Sequence, residues 1–149
     1  MSLQQDIMTK MKEAMKAKDQ TALAALRAVK SAILLAQTES GAKEMLSEED
    51  EIKLLQKLVK QRKDSASIFT EQGRDDLAQP EIDQAVIIEQ FLPEQLSEEE
   101  IESVVVATID DIGASGMKDM GKVMGIVSKA LAGQADGKTI STIVKQKLM

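Results

Sequence analysis

The hydrophobic core of this chain has to be built almost without aromatic side chains. Phe69 and Phe91 are the only aromatic residues among 149, whereas leucine, isoleucine, valine, alanine and nine methionines are plentiful. Aliphatic side chains of this kind fill the narrow space between closely packed helices. The composition therefore favours an all-α fold, and the length suffices for one ordinary domain or two small ones.

The spacing of apolar residues predicts seven helices, four in the first two thirds of the chain and three in the last. Leu3, Ile7 and Met11 recur every four positions, as on one face of an amphipathic helix. The third helix is the longest and is expected over residues 48–72, with Gly73 as its stop. Residues that favour the N-cap position precede four of the predicted helices: Asp19, Ser47, Ser97 and Asp136.

The two prolines and the glycines mark the boundaries between these helices. Pro80 is expected at the first position of the fourth helix, after a separate turn, because proline is tolerated there. Leu92-Pro93 ends that helix, since the residue before a proline avoids the helical region. A polar loop is expected at residues 38–41. We predict a four-helix subdomain at residues 1–93 and a three-helix subdomain at residues 97–149.

Cysteine and histidine are both absent, which excludes disulfides, thiolate nucleophiles, histidine acid–base pairs and Cys/His metal sites. The acidic runs after Ser47 and Ser97 lie where a helix dipole favours negative charge, so we interpret them as helix starts. The sequence thus predicts neither a metal nor a cofactor. No apolar run approaches the roughly 20 residues of a membrane span, and a signal-peptide core is missing. We expect a cytoplasmic protein without membrane contact.

Gly121 and Gly125 lie one turn apart inside the sixth predicted helix. Glycine in a helix interior costs roughly 1 kcal/mol relative to alanine, so the pair requires a reason. Either another helix packs against the bare backbone, or a ligand backbone such as a phosphate chain lies there. Together with the two glycines, four nearby lysines make this region the first candidate nucleic-acid site: Lys118, Lys122, Lys129 and Lys138.

Charge is unevenly distributed along the chain. The net charge is -6, which argues against nucleic-acid binding by the whole surface. Residues 112–149, however, hold six lysines and two aspartates, and residues 53–63 hold five cationic side chains and no acidic one. The second basic segment and its neighbourhood add three candidate contacts, for which a solvated helix face is the alternative: Lys60, Lys63 and Arg74.

Arg62 falls on the apolar seam of the third helix, between Val59 and Ala66. A guanidinium in such a position is costly unless it is paired. We therefore expect a structural ion pair between Arg62 and Asp75 or Asp76.

Several stretches in this order resemble the YqeY-like (GatB/YqeY) family over nearly the whole chain. They are residues 26–33, 60–65, 73–78, 91–97, 118–125, 135–138 and 143–145, with Lys-Asp-Met-Gly-Lys-Val-Met-Gly at 118–125. In that family the C-terminal half is similar to the tail domain of the B subunit of tRNA-dependent glutamyl/aspartyl amidotransferase. The resemblance implies an all-helical fold in two parts, with tRNA as the first partner to test.

The function that this resemblance implies is that of an accessory protein associated with tRNA. A carbon–nitrogen ligase label, with glutamine as amido-N-donor, would describe the larger enzyme, because its kinase-like cradle and its glutaminase lie outside the tail. One alternative is an adaptor that docks on an aminoacyl-tRNA synthetase or an amidotransferase without touching RNA. The other is an enzyme in its own right, which the lack of histidine, cysteine and a glycine-rich nucleotide loop disfavours.

Overall fold

The computed structural model describes residues 2–39 and 46–149, and every regular element in this part of the chain is a helix. The α-helices are α1 (Leu3–Ala17), α2 (Gln20–Glu39), α3 (Glu48–Glu71), α4 (Asp75–Glu89), α5 (Glu98–Ile112), α6 (Met120–Ala130) and α7 (Gly137–Leu148). A 3-10 helix, Met117–Asp119, leads into α6. The predicted all-α fold with seven helices is confirmed. The polar loop predicted at residues 38–41 is wrong at Thr38 and Glu39, which are the last two residues of α2, and residues 40–41 lie outside the described residues.

The helix starts follow from local side-chain chemistry. The predicted N-caps are confirmed at Asp19, Ser47, Ser97 and Asp136. Each side-chain oxygen accepts a hydrogen bond from the backbone N–H three residues further on, over 2.8 to 3.2 Å. A cap of this kind stabilises a helix by about 1 kcal/mol. Each of these helix starts is therefore determined by residues only three positions apart in the sequence.

Helix α4 begins earlier than the position of Pro80 predicts. The Arg74 carbonyl accepts hydrogen bonds from Leu77 N (3.1 Å) and Ala78 N (3.0 Å), and these bonds make Asp75 the first helical residue. Pro80 is therefore inside the helix and not at its first position. The Pro80 ring is exposed. Because proline has no N–H, the Asp76 carbonyl receives no hydrogen bond from position 80. Asp76 is exposed as well, so water can replace the missing bond.

The chain divides into two compact units, Met1–Leu92 with α1–α4 and Pro93–Met149 with α5–α7. In the first unit, α3 and α4 form a hairpin, and α2 packs against both α1 and α4. Its core is aliphatic and includes Ile7, Leu26, Val29, Leu55 and Ile88. Within residues 2–39 and 46–149, none of the helices has the length and apolar character to cross a bilayer.

The second unit has its own core, to which α5, α6 and α7 all contribute. Its most deeply buried side chains are Ile101, Val105, Val123, Val127, Ile140 and Val144. The segment before α5 is tied to the loop between α6 and α7. Leu96 N donates to the Gln134 carbonyl over 2.9 Å, and Gln95 Nε2 donates to the Gly133 carbonyl over 2.6 Å. Gln95 and Leu96, which precede α5, therefore belong to the second unit.

Candidate nucleic-acid interface

The packing of α6 decides which of its residues face solvent. Val123 and Val127 are fully buried in the core of the second unit. Because a helix turns about 100° per residue, Gly125 lies roughly opposite the midpoint of these two valines. Lys122 and Lys129 lie on the same exposed side, and Lys118 precedes them in the 3-10 helix. We call this surface the glycine–lysine ridge: Lys118, Gly121, Lys122, Gly125 and Lys129.

Neither glycine of the ridge is covered by another helix. Both are exposed, and a Cβ atom added to Gly121 or Gly125 would meet nothing within 4 Å. The first alternative for these glycines, close helix–helix packing, is thus not realised within the described chain. The backbone on this side of α6 is open to an external partner.

The lysines of the ridge are also free to meet a partner. Lys118, Lys122 and Lys129 are exposed, and none of them takes part in an ion pair among the residues that the structure describes. The same holds for Lys138, which lies in the first turn of α7 and therefore on a different helix from the ridge.

An apolar residue that the sequence reasoning missed lies beside the ridge. The Ile126 side chain is 42% exposed next to Gly125, and Met117 is 43% exposed at the start of the 3-10 helix. The helical period gives the signal for Ile126, because it places this residue on the flank of α6, between the buried valines and the ridge. The ridge therefore combines charge, open backbone and a small apolar edge.

The basic candidates of the first unit are, in contrast, neutralised within the chain. Lys63 Nζ lies 2.7 Å from a Glu89 carboxylate oxygen, and Lys60 lies 3.6 Å from Asp64. Arg74 makes two hydrogen bonds to Asp76, at 3.0 and 3.1 Å. These bonds raise the pKa of Arg74 and lower that of the Asp76 carboxyl. The three cations thus offer less uncompensated charge than the ridge does.

Arg62 has other partners than the two aspartates expected for it. The side chain is half-buried, and its Nε donates to Gln84 Oε1 over 3.1 Å. Its second donor bonds the Leu58 carbonyl, one turn earlier in α3, over 3.2 Å. Neutral oxygens on α3 and α4 therefore accept the two hydrogen bonds that Arg62 donates, while Asp76 pairs with Arg74. Arg62 thus has a structural role, as predicted, but the predicted ion pair with Asp75 or Asp76 is wrong.

The second unit separates its charges between helices. Residues 98–111 hold six acidic side chains and no basic one, whereas all six lysines of the unit follow residue 117. Three of the acids, Glu98, Glu99 and Glu100, lie in the first turn of α5, as the dipole favours. Among the described residues, no group of three acidic side chains is placed to hold a metal ion.

Comparison with known proteins decides the family. The model of the YqeY-like protein family matches residues 4–148, which is nearly the whole chain. The chain belongs to the YqeY-like family. The resemblance inferred from separate stretches is therefore confirmed for the chain as a whole.

Two curated relatives of this YqeY-like chain differ in how much of their own length it covers. One is the E subunit of glutamyl-tRNA(Gln) amidotransferase from Thermococcus gammatolerans, 36% identical over 104 residues, which are 67% of this chain and 17% of the relative. The other is altered inheritance of mitochondria protein 41 of Clavispora lusitaniae, 36% identical over 108 residues, 70% of this chain and 61% of the relative. The chain thus spans less than two thirds of either relative and is related to a part of an amidotransferase subunit.

Proposed function

We propose that this YqeY-like protein is a tRNA-associated accessory module whose second unit binds the tRNA backbone through the glycine–lysine ridge. The observation that carries the proposal is the open α6 backbone at Gly125, flanked by exposed lysines without internal partners. Its relation to part of an amidotransferase subunit for glutamyl-tRNA(Gln) makes tRNA the first polyanion to test. The cytoplasm is the proposed compartment, on the sequence grounds given above.

The chemistry of the ridge suits a phosphate chain better than bases. From Lys118 to Lys129 the ridge extends about 16 Å, at about 1.5 Å per residue, which is enough to face several phosphates. Lysine contributes point charges, and open backbone allows close approach. Base readout would need exposed aromatic or arginine planes; the ridge contains neither, and Phe69 and Phe91 are half-buried in the first unit. Shape and backbone contacts therefore carry the proposed recognition.

The proposal is tested by reversing two charges of the ridge. We expect Lys118→Glu with Lys122→Glu to abolish retention of total tRNA in filter binding at about 0.1 M salt, because two attractive contacts become repulsive. The parent protein should lose affinity steeply as salt rises. Thermal stability should not change, since both side chains are exposed.

The matched control reverses the same charges elsewhere. Lys12 and Lys16 are exposed on α1 at the same spacing of four residues, so Lys12→Glu with Lys16→Glu makes the same change in net charge. This control should retain tRNA binding. Equal loss in both variants would show that net charge alone is responsible, and undiminished binding by the ridge variant would exclude the ridge.

A second candidate function, a protein adaptor, is favoured by an apolar groove on the first unit. The groove has a volume of about 190 Å³ and lies between α1 and α2, where Ile7, Met8, Ile33 and Leu34 line it. The partner would be an aminoacyl-tRNA synthetase or an amidotransferase. An adaptor keeps its purified partner after nuclease treatment, whereas a module that is held through tRNA loses it.

An accessory role without catalysis is part of the proposal. The carbon–nitrogen ligase activity implied by the family resemblance would describe a larger enzyme, and this chain spans 17% of the amidotransferase subunit that it matches. With neither histidine nor cysteine, it lacks the side chains that most often serve as general base or thiolate nucleophile.

A further inference from the structure

A second exposed helix face in the C-terminal unit has the opposite charge to the ridge. On α5, Ile101 and Val105 are buried, and the helical period places Glu99, Val106 and Asp110 on the opposite side, which is exposed. Val106 is 39% exposed between the two carboxylates. We call this surface the acidic face: Glu99, Ser103, Val106 and Asp110.

The acidic face repeats the spacing of the ridge. Successive members of the face are four, three and four residues apart, and so are Lys118, Lys122, Gly125 and Lys129. If the two helices run in the same direction, Glu99 stands opposite Lys118, and Asp110 stands opposite Lys129. The same alignment places Val106 at Gly125, where no side chain occupies the surface.

Both faces are left unsatisfied within one copy of the chain. In the described part of the protein, neither Glu99 nor Asp110 takes part in an ion pair, and the ridge lysines take part in none either. The neighbouring Glu102 does bind Lys147 of α7, with 2.6 Å between Oε1 and Nζ. One carboxylate of α5 thus already pairs with a lysine of a neighbouring helix.

We propose that the acidic face of one copy docks on the glycine–lysine ridge of a second copy. Two ion pairs mark the ends of the contact, and the Val106 side chain covers the bare backbone at Gly125. Glycine at this position allows the helix axes to approach to the short end of the usual range of about 8 to 10 Å. Charges across the contact set its register and its salt dependence more than its strength.

The geometry of this contact has a consequence for regulation. The contact joins two unlike faces. In a head-to-tail arrangement each dimer still presents one free ridge and one free acidic face, so association grows beyond the dimer as concentration rises. A ridge that is covered by a second copy is closed to a polyanion. Self-association therefore competes with nucleic-acid binding, yet it requires no nucleic acid and can be tested without it.

The experiment is sedimentation of the full chain and of two charge-reversed variants at about 0.15 M salt. At this ionic strength the Debye length is about 8 Å, so facing charges outweigh the net charge of each copy. The parent should associate with rising concentration and dissociate in about 1 M salt. Glu99→Lys with Asp110→Lys, and Lys118→Glu with Lys129→Glu, should each weaken association by at least about tenfold.

Mixing the two variants tests whether the acidic face and the ridge contact each other. The first variant keeps a native ridge and the second keeps a native acidic face, and their two reversed faces carry opposite charges as well, so an equimolar mixture should recover the association that each variant alone has lost. Asp111→Lys with Lys145→Glu, exposed residues outside both faces, is the control and should associate as the parent does. A mixture that remains monomeric, or a parent that is monomeric at every concentration, would overturn the proposal.

Two further sets of variants are measured. One shows whether a folding defect explains the weaker association, and the other determines how the two helices are aligned. Because lysine at position 99 opposes the α5 dipole, the neutral pair Glu99→Gln and Asp110→Asn is measured as well and should also weaken association. The chain has no cysteine, so a Val106→Cys copy mixed with a Gly125→Cys copy should form a disulfide-linked dimer under mild oxidation. Faster linkage of Ser103→Cys to Gly125→Cys would contradict the proposed alignment.

Discussion

Gly125 lies in the middle of α6 with open space where a Cβ atom would stand. Alanine fits there without displacing a neighbour, and it costs roughly 1 kcal/mol less than glycine in a helix interior. Gly125 thus lowers the stability of α6, and no packing within the described chain requires it. A glycine of this kind suits a surface that a partner approaches closely. Gly121 differs because it lies in the first turn, where the cost of glycine is smaller.

We therefore predict opposite effects of Gly125→Ala on stability and on binding. Urea unfolding should show a free energy of unfolding about 1 kcal/mol higher than that of the parent, because helix propensity improves. Affinity for tRNA should fall about tenfold, since the methyl group holds a phosphate away from the backbone. Gly121→Ala is the matched control and should gain less stability. A destabilised Gly125→Ala variant would show that the glycine serves the fold instead.

At the scale of the elements, Pro80 is a local cost inside α4. It removes one backbone hydrogen bond from the helix, for which the penalty is about 3 kcal/mol in a helix interior. Proline also restricts the unfolded chain, which offsets about 1 kcal/mol of that penalty. We predict that Pro80→Ala raises the free energy of unfolding by about 1 to 2 kcal/mol, measured by urea titration. The exposed, helical Gln79 supplies a control, because Gln79→Ala changes a side chain without restoring a backbone bond.

A Pro80→Ala variant that unfolds at lower urea concentration than the parent would contradict this account. It would mean that the rigid ring limits the unfolded state more than it weakens the helix. The control variant loses only the exposed hydrogen bond from Gln79 to Asp83, and its stability should lie within about 0.5 kcal/mol of the parent.

Features that depend on residues close together in the sequence could be predicted. Features that depend on contacts between residues far apart in the sequence could not. The caps at Asp19 and Asp136 depend on a residue three positions away, so their sequence signature is sufficient. The partner of Arg62 is Gln84, which only the packing of α4 against α3 brings within reach. The ridge was predictable because α6 presents one face to the core, and its glycines stand opposite the buried valines. That these glycines are uncovered follows only from the positions of the other helices.

For the whole molecule, two cores mean that most of the stabilising contacts lie within a unit. Each unit buries its own aliphatic cluster, and the second unit is closed by its own capped helices. All residues of the glycine–lysine ridge and of the acidic face belong to that second unit. Both proposed associations should therefore be properties of the C-terminal part of the chain by itself.

We predict that a fragment of residues 93–149 folds alone, whereas a fragment of residues 97–149 is much less stable. The shorter fragment corresponds to the subdomain boundary expected from the sequence, and it lacks the hydrogen bonds of Gln95 and Leu96 to the α6–α7 loop. It also lacks the Leu96 side chain, which packs against the core of this unit. Two hydrogen bonds and a partly buried leucine amount to about 2 to 4 kcal/mol, which is a large share of the stability of so small a domain.

Circular dichroism during thermal unfolding measures the difference, and filter binding shows whether the ridge remains competent. The longer fragment should unfold cooperatively and retain tRNA as well as the full chain does. Within that fragment, Gln95→Ala keeps the length and removes only the side-chain bonds, so its stability should fall between those of the two fragments. Equal stability of both fragments would show that residues 93–96 contribute nothing to the unit, because the loop carbonyls of Gly133 and Gln134 are then satisfied equally well by water.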